Sequence, residues 1–209
     1  MVMLPSSVGV LVVGAGFAGI AAASRILDDD PNADVLVIER ADDVGGTWRD
    51  NTYPGCACDV PTSLYSFSFA PSPDWTHTFA RQPEIHRYLR GVVDRLHLRD
   101  RILTSCDLTA ATWDAERSQW IVETSQGVVT ADVLVAATGA LSTPKLPPVP
   151  GLNKFGGTMF HSATWNHDHD LLGQRVAVIG TGASAVQFVP EIADDAERLV
   201  VFQRTPAWV

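Results

Sequence analysis

Val8-Gly9-Val10-Leu11-Val12-Val13-Gly14-Ala15-Gly16-Phe17-Ala18-Gly19 is the stretch that decides the fold. An apolar run ends in three glycines spaced G-x-G-x-x-G, and the helix-forming segment Ile20 to Leu27 follows. Strand, tight turn and helix N-terminus in that order make a dinucleotide-binding loop. The first glycine makes the turn, the second admits a pyrophosphate to the backbone, and the third lets helix and strand pack closely. The pyrophosphate then meets helix N–H groups and the positive end of the helix dipole. One such loop is weak evidence, because unrelated glycine turns match it. This chain has a second, Gly180-Thr181-Gly182-Ala183-Ser184-Ala185, after the apolar segment Arg175 to Ile179 and about 165 residues on. Ala185 stands where the third glycine would, a replacement the fingerprint tolerates. The pair predicts an α/β chain with two Rossmann-like units, holding two nucleotides for electron transfer between them.

The residues at the end of each unit's second strand separate the two nucleotides. After the first helix the chain turns through Asp28-Asp29-Asp30-Pro31, enters the strand Asp34 to Ile38 and reaches Glu39, 20 residues past Gly19. A carboxylate there accepts hydrogen bonds from ribose hydroxyls and repels a 2′-phosphate, which suits FAD or NAD. In the second unit the helix Ser184 to Ala193 leads to the strand Leu199 to Phe202 and then Gln203-Arg204-Thr205. Arg204 stands where the carboxylate would. A guanidinium grips a phosphate with two parallel hydrogen bonds, and Thr205 adds a hydroxyl, so this site favours NADP. The plain alternative is a surface arginine at a strand end.

The segments between the loops are also legible. Residues 41 to 80 are rich in glycine and proline, and such a long irregular stretch points to function. Gln82 to Leu96 has the spacing of an amphipathic helix, with Pro83 in its first turn. Thr109 to Trp113, Trp120 to Thr124 and Gly127 to Thr130 form a small antiparallel meander, followed by a separate strand Val133 to Ala137 and then Thr138-Gly139. Pro144 to Gly151 contains four prolines and predicts a stiff linker. The expected domains are 1–143 for FAD, a linker at 144–171, and 172–209 as the start of an NADP-binding domain.

Composition excludes several classes. A net charge of -9 argues against nucleic acid and anionic membranes. Residues 1 to 24 carry no charged side chain, but Pro5, Ser6, Ser7 and four glycines break the run, and no basic start marks a secretory signal. A cytoplasmic location is expected. Cys56, Cys58 and Cys106 fit no disulfide framework and are expected as reduced thiols. His167, Asp168, His169 and Asp170 look like a metal cluster on paper, yet polar alternation in a turn accounts for them, and no metal is expected.

Phe155-Gly156-Gly157-Thr158-Met159-Phe160-His161-Ser162-Ala163-Thr164-Trp165 matches F-x-G-x-x-x-H-x-x-x-W between the two loops. That string resembles the fingerprint of Baeyer–Villiger monooxygenases. Gly45-Gly46-Thr47-Trp48, Tyr53 to Pro61, Leu64 to Phe69, Ala137-Thr138-Gly139 and Gln203 to Pro206 resemble the family's other blocks. Trp165 favours this branch over flavin monooxygenases that oxidise nitrogen and sulfur; Asn166 departs from the pattern. The resemblance implies that NADPH reduces FAD, that a peroxyflavin forms with O2, and that a ketone becomes an ester or lactone. It makes Asp59 the carboxylate that orients an active-site arginine and the nicotinamide, with an Asx-turn as its plain alternative. His161 and Trp165, at i and i+4, become a switch coupling the domains, or a simple packing pair on one helical face. Trp48 and the Asp59 loop are expected near the flavin ring, and Tyr65 in the pocket or the core. Phe17, Ala18, Arg40, Gly46, Thr47, Cys58, Thr138 and Gly139 join the expected FAD contacts, and Gly180, Gly182, Ala183 and Ser184 those to NADP. Leu108 offers backbone atoms to the adenine or is plain strand. Family members are more than twice this long, so the chain reads as an N-terminal fragment or truncated product, inactive by itself. The other readings are an N- or S-oxygenating enzyme and a non-catalytic flavin-binding module.

Overall fold

Strand β1 (Ser7–Val13) lies inside a six-stranded sheet, in a computed structural model that describes residues 2–206. The final residues of the expected 172–209 segment, 207–209, lie outside the described residues. Sheet order is β3-β2-β1-β6-β5-β4, formed by β2 (Val35–Ile38), β3 (Ile102–Leu103), β4 (Leu108–Asp114), β5 (Gln119–Thr124) and β6 (Gly127–Ala136). β1 pairs in parallel with β2 and β6, and β2 with β3. The apolar runs of β1 and β2 are what a sheet covered on both faces demands. Leu11, Val12, Val37 and Ile38 are fully buried.

Two compact units divide the described chain. The first comprises Met1–Arg49, Ser66–Asp74 and Pro83–Ser142; the second, Asp50–Tyr65, Trp75–Gln82 and Thr143–Val209. The irregular stretch after residue 41 is thus shared between them.

In the first unit the helix after the glycine loop, α1 (Phe17–Asp29), is longer than the expected Ile20 to Leu27. Phe17, Ala18 and Gly19 already lie in its first turn. The short turn α2 (Thr47–Asp50) follows β2, and α3 (Gln82–Arg95) takes the place periodicity gave it. α3 buries Ile85, Leu89, Val92 and Val93 at helical spacing. The meander is present as β4-β5-β6, with Trp113 and Trp120 opposite each other, ring centroids 5.5 Å apart.

One expectation is corrected here. Gly127 to Thr130 and Val133 to Ala136 belong to a single strand, β6 (Gly127–Ala136), and Ala137 lies just past its end. One of its edges pairs antiparallel with β5 over Gly127 to Ala131, and the other pairs parallel with β1 over Thr130 to Ala136. Ala131 and Asp132 looked like a break because the strand changes environment there, from a buried alternation to a more exposed run. The meander is therefore a continuation of the sheet that holds β1 and β2.

The second unit holds a βαβ segment: β7 (Arg175–Ile179), α4 (Ala183–Ile192) and β8 (Arg198–Phe202), the strands pairing in parallel. α4 buries Ala185, Phe188 and Ile192 on one face. Among the described residues no helix is long and apolar enough to cross a membrane.

Candidate functional site

In the first unit the chain runs to β2 and β3 on one side of β1 and returns to β6 on the other. Such a reversal leaves a crevice beyond the carboxyl ends of the strands, where ligands of open α/β sheets bind. Gly14, Gly16, Gly19, Glu39, Gly46, Trp48, Thr138 and Gly139 gather at that end, by strand order and by the contacts that follow. The Gly14 N–H donates to the Ile38 carbonyl (2.8 Å), and the Ala137 N–H to that of Val13 (2.9 Å). The Gly45 N–H donates to the Ala15 carbonyl (2.9 Å), holding the second glycine pair on the first loop.

The three glycines of the loop answer to different demands. Gly14 has φ +103, and a Cβ there would lie 2.5 Å from the Ala137 oxygen. A Cβ on Gly19 would lie 1.8 Å from the Gly14 oxygen. Both are required by the protein's own backbone. Gly16 is different: its nearest atom to an added Cβ is the Gly46 Cα at 3.7 Å, an ordinary contact. Gly16 begins α1 in extended conformation, and no side chain caps the helix there. A pyrophosphate against that backbone accounts for the missing side chain and the missing cap together. These residues fit a dinucleotide.

Glu39 is 5% exposed and more committed than its motif position suggests. Its Oε2 accepts from the Ala15 N–H (2.8 Å), and its Oε1 from the Ala41 N–H (3.0 Å) and the Arg49 guanidinium (3.0 Å). A carboxylate offers about four lone-pair sites; these three bonds leave room for one further donor. The Arg49 partner was not found in the sequence, since nothing in the spacing sends Arg49 back to a strand end. Arg49 also donates to the Asp43 carbonyl (2.6 Å). Burial by itself would push the Asp43 carboxyl up, but the Val44 N–H and the Arg99 and Arg90 guanidiniums outweigh it and hold it below its usual value. Asp43 thereby ties the loop to α3.

Other expected contacts are placed as follows. The half-buried Phe17 ring packs on Phe67, centroids 4.9 Å apart. Ala18 and Thr47 are exposed, and Trp48 is buried. Arg40 donates to the Ser142 carbonyl. The Leu108 side chain is partly buried against the core, as a plain strand residue would be.

In the second unit, Gly180 (φ +111) and Gly182 would have nothing within 4 Å of an added Cβ. Gly182 begins α4, again extended and without a side-chain cap. The Gly180 N–H donates to the Phe202 carbonyl (2.9 Å), and the Gln203 amide to the Thr181 hydroxyl (3.3 Å). The end of β8, with exposed Arg204 and Thr205 just beyond it, is therefore tied to the glycine loop. Ala183 is exposed at the helix start. The Ser184 hydroxyl is directed to Tyr53.

The Tyr53-to-Asp59 loop lies on α4. Gly55 has φ +73, and a Cβ there would meet Glu191 Cγ at 2.8 Å and the Gln187 carbonyl oxygen at 2.9 Å. Cys56 and Cys58 are buried free thiols, and burial pushes both upward. Asp59 is exposed at the end of this segment, and Tyr65 is half-buried, its N–H on the Pro61 carbonyl. Burial pushes the Tyr53 phenol up to about 12 from 10.0. The neutral phenol is thus favoured by folding: its contribution is complete below pH 10.0 and is lost as pH rises through about 12. Tyr53→Phe should flatten that alkaline decline in denaturant midpoint; an unchanged decline would place its cause elsewhere.

His161 and Trp165 do not share a helical face, as their spacing suggested. They flank one 3-10 turn, Ser162–Thr164. His161 caps it, its Nδ1 accepting from the Ala163 N–H (3.0 Å), which places the proton of a neutral ring on Nε2. Trp165 packs between Phe160 and Phe188, with centroids 5.1 Å from each. The i, i+4 argument failed because only Ser162–Thr164 are helical, as one 3-10 turn, and His161 (φ -90, ψ 147) and Trp165 (φ -59, ψ 128) both stand outside it with non-helical backbone. His167 Nε2 pairs with the Thr52 hydroxyl (2.8 Å), and no cluster among the described residues could hold a metal ion.

The model of flavin-binding monooxygenase-like proteins matches residues 8–209. A protein of Streptomyces coelicolor named Baeyer-Villiger monooxygenase is 56% identical over 202 residues, 97% of this chain and 39% of its own length. A structure of cyclohexanone monooxygenase with bound epsilon-caprolactone superposes with a TM-score of 0.90 at 38% identity, over 97% of this chain and 40% of that one. A structure of OTEMO with FAD and NADP gives 0.89 at 38%, over 96% and 39%. The chain thus spans about two-fifths of the length of the relatives it matches.

Proposed function

The chain belongs to the flavin-binding monooxygenase-like family, and on that premise we propose that it supplies the FAD site and the first part of the NADPH site of a Baeyer–Villiger monooxygenase. The observation that carries the proposal is the pair of helices that begin at a glycine with no side-chain cap, at positions where no protein atom forbids a side chain. Relatives that bind FAD and NADP, or hold a lactone, support the choice of ligands and chemistry. The flavin, when bound, would carry electrons from NADPH to O2 and deliver one oxygen beside a ketone carbonyl.

The protein's own residues have simpler tasks. In the first unit, the Gly14-to-Gly19 loop and the N-terminus of α1 hold the pyrophosphate, and Glu39 accepts one ribose hydroxyl. Trp48 and Gly46 wall the flavin end of the crevice. In the second, Gly180, Gly182 and the α4 N–H groups hold the NADPH pyrophosphate, and Arg204 with Thr205 holds the 2′-phosphate. Asp59 orients the nicotinamide, and the His161–Trp165 turn responds to its arrival.

Arg204→Ala tests the coenzyme assignment in the whole protein. Losing a charge-assisted phosphate contact costs about 1.5–3 kcal/mol, so kcat/KM for NADPH should fall about 10- to 150-fold with NADH use nearly unchanged. Equal losses for both coenzymes would refute the 2′-phosphate role. Product analysis with a cyclic ketone and a thioether tests the reaction: a lactone supports the proposal, and a sulfoxide alone moves the protein to the sulfur-oxidising branch.

A further inference from the structure

Gln187 lies five residues into α4 from Gly182 and reaches the Tyr53-to-Asp59 loop across 130 residues of sequence. Its Oε1 accepts from the Ala57 N–H (3.1 Å) and from the Tyr53 hydroxyl (3.1 Å), and its Nε2 donates to the Ala57 carbonyl (3.0 Å). An N–H only donates and a carbonyl only accepts, so the orientation of the amide is fixed. On the opposite edge of the same segment, the Cys58 N–H donates to the Ala80 carbonyl and the Gln82 N–H to the Cys56 carbonyl, both at 2.9 Å. Ala57 is thereby bridged to Arg81 as in an antiparallel ladder. Residues 56 to 58 form a one-bridge strand with a partner on each edge, and the second partner is the Gln187 side chain. Asp59 is the next residue.

We propose that Gln187 is a positioning residue that couples occupation of the second glycine loop to the placement of Asp59; this rests on reading that loop as the NADP site. Gln187 shares a rigid helix of less than three turns with the N–H groups that would receive the pyrophosphate. A ligand that draws on the start of α4 moves or steadies the Gln187 amide, and the amide holds both polar groups of the residue two before Asp59. By reciprocity, ordering the loop favours the ligand by the same factor.

The test uses the flavin-loaded whole protein, with NADP+ as probe, and reads hydrogen exchange over residues 55–59 together with the NADP+ dissociation constant. In wild type, NADP+ should slow exchange in that segment. Gln187→Ala removes all three bonds. Gln187→Glu keeps shape and both accepted bonds, but sets a carboxylate oxygen against the Ala57 carbonyl. In either variant the NADP+-dependent slowing should vanish and NADP+ affinity should drop about 5- to 10-fold, at the low end of coupling between sites, while flavin content is retained. A merely structural role would raise exchange with and without NADP+ alike and leave the difference intact. If Gln187→Ala does not fold, Gln187→Glu decides; wild-type slowing in that variant overturns the inference. If NADP+ binds wild type without slowing residues 55–59, the coupling is wrong and the site assignment stands. If NADP+ does not bind wild type, both are wrong.

Discussion

Gly19→Ala should yield no stable folded protein, whereas Gly16→Ala should yield a folded protein that has lost its flavin. The two substitutions add the same methyl group to the same loop. At Gly19 the new carbon would lie 1.8 Å from the Gly14 oxygen and 2.9 Å from its carbonyl carbon, both backbone atoms that no side-chain rotation can clear. Relief requires α1 to move off β1, uncovering Ile20 and Ala23, which are buried under the helix. Overpacking a well-packed core costs about 3 kcal/mol at the upper end of its usual range, and a backbone clash belongs at that end or beyond. At Gly16 the nearest atom is 3.7 Å away and φ is -83, so a side chain fits without strain. What it obstructs is the space expected to hold the pyrophosphate. Flavin affinity should fall at least tenfold, about 1.4 kcal/mol. Thermal unfolding and visible flavin absorbance of the two purified variants separate these effects. A Gly16→Ala protein with full flavin content would rule out pyrophosphate binding at that backbone.

Glu39→Ala should be the most damaging change to a polar side chain in the first unit, and it should destabilise the protein even without flavin. The carboxylate is 6% exposed and Arg49 is 13% exposed. Breaking a buried ion pair by removing one of its members costs about 3–5 kcal/mol. The Ala15 and Ala41 N–H groups also lose their acceptor. Arg49 keeps its bond to the Asp43 carbonyl, which places the expected loss at the lower end. Denaturant unfolding of flavin-free protein measures it. A double-mutant cycle of Glu39→Gln with Arg49→Met isolates the pair from the backbone bonds. Unchanged stability of flavin-free Glu39→Ala would mean that the carboxylate serves only the ligand.

Gln203 to Thr205, the two glycine loops and the apolar runs before them needed no tertiary information. Their meaning depends on local geometry: a strand must turn, a helix must start, and the backbone must come near an anion. Such demands fall on particular residues a few positions apart, so spacing alone exposes them. For the same reason α3 was visible as a period of buried residues, and the family string around His161 was visible before any coordinates.

Gln187, Arg49 and the true course of β6 could not be found that way. Gln187 meets Ala57 across 130 residues, and a glutamine on a helix carries no mark of where its amide will point. Arg49 lies ten residues from Glu39, and only the turn at Gly45-Gly46 folds it back. β6 looked like two strands because its edges serve different neighbours in succession. The sequence by itself determined which strand-loop-helix elements exist and in what order. Tertiary structure decided which side chains hold them in register, because hydrogen bonds between distant segments depend on how the chain packs and leave no periodic trace along it.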